Sequence, residues 1–203
     1  MATGGRSIAR WPALEAIVLA GGAGRRFGGA KLTTPWRGGR LIDGALATAF
    51  AAPVRSVTVV TGADAGVGAA AEAFAMALGA GDRLRLVHAP DYVEGMGATL
   101  RTGVAALPAD ADGALVFLGD MPLVPRGLSA CLALAMKGGV LAVAPVFEGR
   151  RGHPVLFAAA LFPALLTLTG DEGARAVLQG LGDRLKAIDV ADSGVLFDVD
   201  TPR

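Results

Sequence analysis

The sequence predicts a single α/β domain: a mostly parallel, Rossmann-like, doubly wound sheet with helices on both faces. Three observations carry that expectation. Short apolar runs alternate with helix-like stretches from residue 16 to residue 145. The runs are apolar throughout instead of alternating with polar residues, as strands covered on both faces are. A glycine-rich segment follows the first run directly, where open α/β sheets place their ligand-binding loops.

The elements follow in order. Ala16-Ile17-Val18-Leu19 is the first strand. Residues 41–52 form a helix that Pro53 ends, because proline cannot continue the backbone ladder. Val57-Thr58-Val59-Val60 is the second strand, and 67–78 an alanine-rich helix stopped by Gly79. Residues 84–88 give a third strand, 98–107 a helix before Pro108, and Ala114-Leu115-Val116-Phe117-Leu118 a fourth, strongly apolar strand. A helix over 128–136 and a strand over 140–145 complete the regular part. Beyond it, Val155-Leu156-Phe157 and Val195-Leu196-Phe197 read as strands, and 161–168 and 174–181 as helices. With no internal repeat and no linker, the expected layout is a flexible leader over 1–13 followed by one domain over 14–203.

Composition excludes several function classes. The 19 basic and 18 acidic residues nearly cancel, so neither a nucleic-acid nor a polybasic membrane binder is expected. No apolar run reaches the length of about 20 residues that a spanning helix needs, and a cytoplasmic location is expected. The single cysteine, Cys131, excludes an intrachain disulfide and cysteine-based zinc clusters. Its apolar helical surroundings place it in the core. The only histidines are His88 and His153, of which His88 is taken as structural. Two histidines leave oxygen ligands to hold any metal, which points to magnesium or manganese.

The chain has 30 glycines, about twice ordinary usage, and they are clustered. The densest cluster runs Gly21-Gly22-Ala23-Gly24-Arg25-Arg26-Phe27-Gly28-Gly29-Ala30-Lys31. Glycines let backbone N–H groups turn inward around phosphate oxygens, and Arg25, Arg26 and Lys31 add positive charge. A dinucleotide fingerprint fails because Phe27 stands where the third glycine belongs, and Asp64 is the nearest acid after the second strand. A Walker loop fails because Ala30 precedes Lys31, and Leu32 replaces the hydroxyl that holds magnesium.

Two acidic positions stand out. The fourth strand delivers Gly119-Asp120-Met121-Pro122 to its carboxyl end, a rigid place for a metal-binding carboxylate. Near the end, Asp198 and Asp200 are two residues apart and would share a face if the segment is a strand. Asp120 with either one suffices for one magnesium that also takes phosphate and water. Asp198 is preferred, with Asp200 as a helix cap.

The segment from Leu19 to Lys31 resembles the signature loop of the molybdopterin nucleotidyltransferases, and the likeness spans nearly all the chain after residue 14. The resemblance implies a fold of the nucleotide-diphospho-sugar transferase type. It gives Leu19, Ala20, Gly21, Gly22 and Gly24 a nucleotide-binding role and Arg25 and Lys31 a charge role. It identifies Gly119-Asp120-Met121-Pro122 as the magnesium motif. Glu94-Gly95-Met96-Gly97-Ala98-Thr99-Leu100-Arg101 matches a segment beside the nucleoside, which assigns Gly97 and Thr99 to nucleotide binding. Arg151-Gly152-His153-Pro154-Val155 and Gly170-Asp171-Glu172-Gly173-Ala174-Arg175 match segments that hold the pterin in the molybdenum cofactor cytidylyltransferase branch. They place His153, Asp171 and Arg175 on the acceptor side.

The resemblance further implies a magnesium- or manganese-dependent transfer of CMP from CTP to a phosphate-bearing pterin. Arg25, Lys31 and Asp120 would be catalytic, and a molybdoenzyme or its chaperone would receive the product. Leu19-Ala20-Gly21-Gly22 is closer to the guanylyl branch, so GTP stays open. A sugar-phosphate nucleotidyltransferase and a non-catalytic cofactor carrier are the remaining alternatives.

Overall fold

The computed structural model describes residues 12–22 and 29–199. The strands are β1 (Leu14–Ala20), β2 (Pro35–Trp36), β3 (Gly39–Arg40), β4 (Val57–Thr61), β5 (Leu84–His88), β6 (Gly113–Leu118), β7 (Ala142–Phe147), β8 (Arg150–Arg151), β9 (Val155–Ala158) and β10 (Leu185–Asp189). The helices are α1 (Leu41–Ala51), α2 (Gly66–Ala77), α3 (Met96–Ala105), α4 (Leu128–Ala135), α5 (Phe162–Leu165) and α6 (Arg175–Gln179).

One sheet has the order β10-β7-β9-β6-β1-β4-β5, with β8 paired to β7. Pairing is parallel from β6 through β1 and β4 to β5, and between β7 and β10. β9 runs antiparallel between β6 and β7. The expected mostly parallel sheet is therefore present, with β9 reversed inside it and the two-residue β8 reversed beside β7. β2 and β3 form a separate hairpin whose turn residues Arg37 and Gly38 both have positive φ, as two-residue hairpin turns require.

The alternation of side chains along β1 explains both layers. Leu14, Ala16, Val18 and Ala20 belong to one core cluster, with buried residues of α1, α2 and α4. Ile17 and Leu19 belong to the other, with Leu100 of α3, Leu165 of α5 and Leu178 of α6. A strand buried on both faces must be apolar at every position, and β1 is buried throughout. Its one charge, Glu15, is wholly buried. It accepts from Arg55 Nε at 2.7 Å, Ser56 N at 3.0 Å and Ser56 Oγ at 2.6 Å.

Four expectations need correction. Val195-Leu196-Phe197 is not a strand; Ser193–Leu196 is a 3-10 turn whose start is capped by Asp192, which accepts from Gly194 N at 2.7 Å. Residues 161–168 and 174–181 hold only the short helices α5 and α6. Cys131 is exposed, because α4 turns Leu128, Ser129, Leu132 and Ala133 to the core instead. Asp198 lies beyond the 3-10 turn and outside any strand, so no strand puts it on one face with Asp200. Among the described residues no helix is long and apolar enough to cross a membrane.

Candidate active site

The site forms where β1 and β6 end. These strands pair in register up to Leu19 opposite Leu118, and Gly119 N–H then donates to the Leu19 carbonyl at 2.9 Å. Gly21 and Asp120 therefore leave the sheet side by side. The side chains of Leu19 and Ala20 are core residues, so what they can offer a ligand is backbone.

Lys31 reaches this point from a 3-10 turn, Lys31–Thr33. The Thr33 hydroxyl donates to Asp64 Oδ2 at 3.0 Å, and Gly66 N–H donates to Asp64 Oδ1 at 2.9 Å. Asp64 thus ties the turn to the start of α2, with both its oxygens engaged. Held this way, Lys31 Nζ lies 2.8 Å from Asp120 Oδ2, and the side chains are 14% and 27% exposed. Partial burial leaves the pair facing the crevice while limiting the water that would screen it.

α3 covers the other side of Gly21. A Cβ on Gly21 would stand 2.7 Å from Thr99 Oγ1, so only glycine lets the helix approach this closely. Gly22 is exposed and would meet nothing within 4 Å. The N-terminus of α3 is in turn packed on residues 169–173. Gly97 N–H donates to the Gly170 carbonyl at 2.8 Å, and Gly95, at φ +116°, lies directly under the Asp171 carboxylate. Arg101 clamps the same region. Its guanidinium donates to the Leu168 carbonyl at 2.7 Å and to Glu94 at 3.2 Å, with Asp91 at 3.5 Å.

His153 precedes β9, whose antiparallel pairing brings its start to Val116 on β6. His153 N–H donates to the Val195 carbonyl at 2.9 Å, and Val199 N–H donates to the Asp120 carbonyl at 3.2 Å. The chain around Asp198 is thereby pinned beside Asp120, and Asp198 is exposed there. The His153 ring bonds the Val116 carbonyl, while its buried Nδ1 has no partner. Burial pushes the His153 pKa below 6.5, against the pull of Val116 and Asp120, and Arg151 pushes it the same way as burial. Burial thus favours the neutral form of the ring.

The structure thus gathers Gly21, Gly22, Lys31, Thr99 and Asp120 at one end of the sheet and links them through Gly97 to Asp171. Arg175 opens α6 and is exposed. Gly24, Arg25 and Asp200 lie outside the described residues. Among the described residues no three His, Cys, Asp or Glu side chains group closely enough to hold a metal. Sequence reasoning missed Thr33 and Asp64 as the support of Lys31. It also missed Arg101 as a clamp, although Arg101 closes the glycine-rich segment that begins at Glu94.

Comparison with known proteins places this geometry. Residues 16–187 match the model of the MobA-like NTP transferase domain. The purine catabolism protein PucB of Bacillus subtilis is 34% identical over 95% of this chain and 94% of its own length. Nicotine blue oxidoreductase of Paenarthrobacter nicotinovorans is 31% identical over 94% of this chain and 93% of its own. The molybdenum cofactor cytidylyltransferase of Escherichia coli is 24% identical over 94% and 92%. In fold, Rv0371c of Mycobacterium tuberculosis superposes with a TM-score of 0.76 at 23% identity, over 95% of each chain. A further structure of Rv0371c is a complex with manganese, at TM-score 0.68, 21% identity and 88% of each chain. The glycine loop after β1, the Lys31–Asp120 pair and the match over 16–187 agree: the chain belongs to the MobA-like NTP transferase domain family and is a nucleotidyltransferase.

Proposed function

We propose that the protein transfers CMP from CTP to the phosphate of molybdopterin and releases pyrophosphate. An oxygen of the acceptor phosphate attacks the α-phosphorus, and the bond from that phosphorus to the β-phosphate oxygen breaks. The observation that carries this reading is the Lys31–Asp120 contact, 2.8 Å long, beside Gly21 at the ends of β1 and β6. It sets a cation and a carboxylate where a triphosphate would meet backbone N–H groups. The E. coli cytidylyltransferase, similar along almost all of the chain, supports CTP and the pterin.

Asp120 fits a hard divalent ion. Its carboxylate is partly exposed to the crevice and already holds one cation, the Lys31 ammonium. Asp120 would hold magnesium or manganese with Asp198 or Asp200, and such an ion would supply charge neutralisation at the phosphates. Lys31 and Arg25 would offset the charge of the leaving pyrophosphate. Gly22, Gly97 and Thr99 would line the nucleotide, with His153, Asp171 and Arg175 toward the acceptor. The product would pass to a molybdoenzyme or its chaperone in the cytoplasm.

GTP is the second reading, favoured by Leu19-Ala20-Gly21-Gly22. One experiment separates them: pyrophosphate release measured with molybdopterin, magnesium and either CTP or GTP. Release with CTP supports the proposal, and release with GTP alone replaces it by the second reading. No release with either nucleotide overturns both. In the same assay Arg175→Ala should raise the KM for molybdopterin more than that for the nucleotide.

A further inference from the structure

We infer that Trp36 is a positioning residue for the metal site: its ring holds Phe197 in place, and through it the neighbouring Asp198 carboxylate. This rests on the transferase reading and adds what fixes the second carboxylate that a divalent cation would take.

The hairpin that carries Trp36 grows out of the Lys31 turn. Thr34 closes that turn, its N–H donating to the Lys31 carbonyl at 3.3 Å. β2 and β3 follow, with Pro35 opposite Arg40 and Trp36 opposite Gly39. The N–H of Leu41, the first residue of α1, donates back to the Thr34 carbonyl at 3.0 Å. Both ends of the hairpin are thereby tied down. The Arg37 guanidinium lies 5.5 Å from the centre of the Trp36 ring, within reach of a cation–π contact. Trp36 itself is half-buried and packs against the core cluster that β1 and α1 share.

The Trp36 and Phe197 rings have centroids 6.4 Å apart and planes inclined at 43°, a spacing at which aromatic rings attract. Phe197 has extended backbone. Phe197 and Val199 both pack with the same core cluster, while Asp198 between them is exposed. Successive side chains of an extended chain point opposite ways, so two inward anchors turn the carboxylate outward. Val199 N–H donates to the Asp120 carbonyl at 3.2 Å. Asp198 thus has a fixed point on each side, the Trp36 ring before it and the Asp120 backbone after it. The path closes on itself, because Lys31, at the start of the same stretch as Trp36, lies 2.8 Å from Asp120 Oδ2. Residues 31–36 therefore meet Asp120 at one end and the support of Asp198 at the other. Groups that orient a metal's ligands govern its affinity nearly as the ligands do.

The test is uptake of manganese alone, read from the loss of the free-ion EPR signal. It compares wild type, Trp36→Ala, Phe197→Leu, Asp198→Asn and the double variant Trp36→Ala/Asp198→Asn. Thermal unfolding verifies that each is folded, and Phe197→Leu probes the same contact while keeping an apolar side chain. Trp36→Ala and Phe197→Leu should each weaken uptake about tenfold, and the double variant should be no weaker than Asp198→Asn alone. Trp36→Phe, which keeps a ring, should regain most of the affinity. The proposal falls if wild type takes up no manganese saturably, or if Trp36→Ala and Phe197→Leu bind it like wild type. It falls equally if the double variant loses the product of the two single losses. In pyrophosphate release, Trp36→Ala should raise the magnesium concentration for half-maximal rate about tenfold and leave the KM for CTP within about twofold. An unchanged magnesium demand in an enzyme that turns over would overturn the positioning role and leave the transferase standing. No release by wild type, with manganese uptake that still depends on Trp36 through Asp198, would overturn the transferase and leave the positioning role standing.

Discussion

The ammonium of Lys31 and the carboxylate of Asp120 are 89 positions apart in sequence and 2.8 Å apart in the fold. Two supports set that distance. Thr33 and Asp64 fix the turn that carries Lys31, and the β1–β6 register fixes the height at which Asp120 leaves the sheet. The pair is a cation and an anion set next to the end of β1, where the proposed triphosphate and its metal would meet them.

The two glycines after β1 should behave differently. Gly21→Ala drives a methyl group against Thr99, so it should cost about 1–3 kcal/mol of stability, as overpacking does. Thr99→Ala should recover part of that loss. Gly22→Val projects into open space, so the unfolding temperature should stay near wild type while the thermal shift given by nucleotide disappears. A Gly22→Val protein with the wild-type nucleotide shift would contradict a phosphate loop at this place.

His153 sets a pH dependence of stability. Its folded pKa lies below 6.5 because burial disfavours the charged ring. Below 6.5 the unfolded chain therefore binds a proton that the folded protein refuses. Stability from this group is fully present above that pH and declines as pH falls toward the folded pKa. The unfolding temperature of wild type should drop between about pH 8 and pH 5, and His153→Gln should show a flatter profile. Equal slopes would show that His153 is not the group responsible.

Arg101 ties Glu94, just before α3, to Leu168, just before the loop that carries Asp171. Arg101→Ala frees the Leu168 carbonyl and the Glu94 carboxylate, so the loop that carries Asp171 should loosen. The KM for the acceptor should rise about tenfold, the loss of one or two charge-assisted bonds, with the nucleotide KM within about twofold. Arg101→Lys should restore part of it. A fall in unfolding temperature with both KM values unchanged would reduce Arg101 to a purely structural role.

The central sheet was legible because β1, β4 and β6 are buried on both faces and so carry uninterrupted apolar runs. β10 was not, since Leu185-Lys186-Ala187-Ile188-Asp189 is a half-exposed edge strand with no continuous run. Val195-Leu196-Phe197 has strand composition, but Gly194 packs on the Leu123 backbone and Asp192 caps the turn, which winds it into a 3-10 helix. Helical spacing around Cys131 could have shown it facing outward, since Leu128 and Leu132 take the core positions. In the site, the glycine loop and Asp120 announce themselves by position after apolar strands. The partnership of Lys31 with Asp120, and of Gly95 with Asp171, depends on register and loop packing, which no local pattern encodes.

The two candidate carboxylates should differ in weight. Asp120 follows a buried strand, whereas Asp198 is exposed on a segment outside any strand, beside the Val199–Asp120 backbone bond. Asp198→Asn should lower turnover less than about tenfold and raise the magnesium concentration needed for half-maximal rate, because one magnesium needs few protein carboxylates. A loss larger than that of Asp120→Asn would reverse the assignment of the principal ligand.

Pyrophosphate release by wild type and Asp120→Asn across a magnesium titration decides whether the Lys31–Asp120 pair is the centre of the chemistry. Asparagine keeps the shape of Asp120 and one acceptor oxygen but removes the charge that Lys31 and a metal would share. The expected variant is folded, with a rate that falls by a factor on the order of a hundred to a thousand and is not restored by excess magnesium. Wild-type turnover by Asp120→Asn at ordinary magnesium would contradict the role given to Asp120.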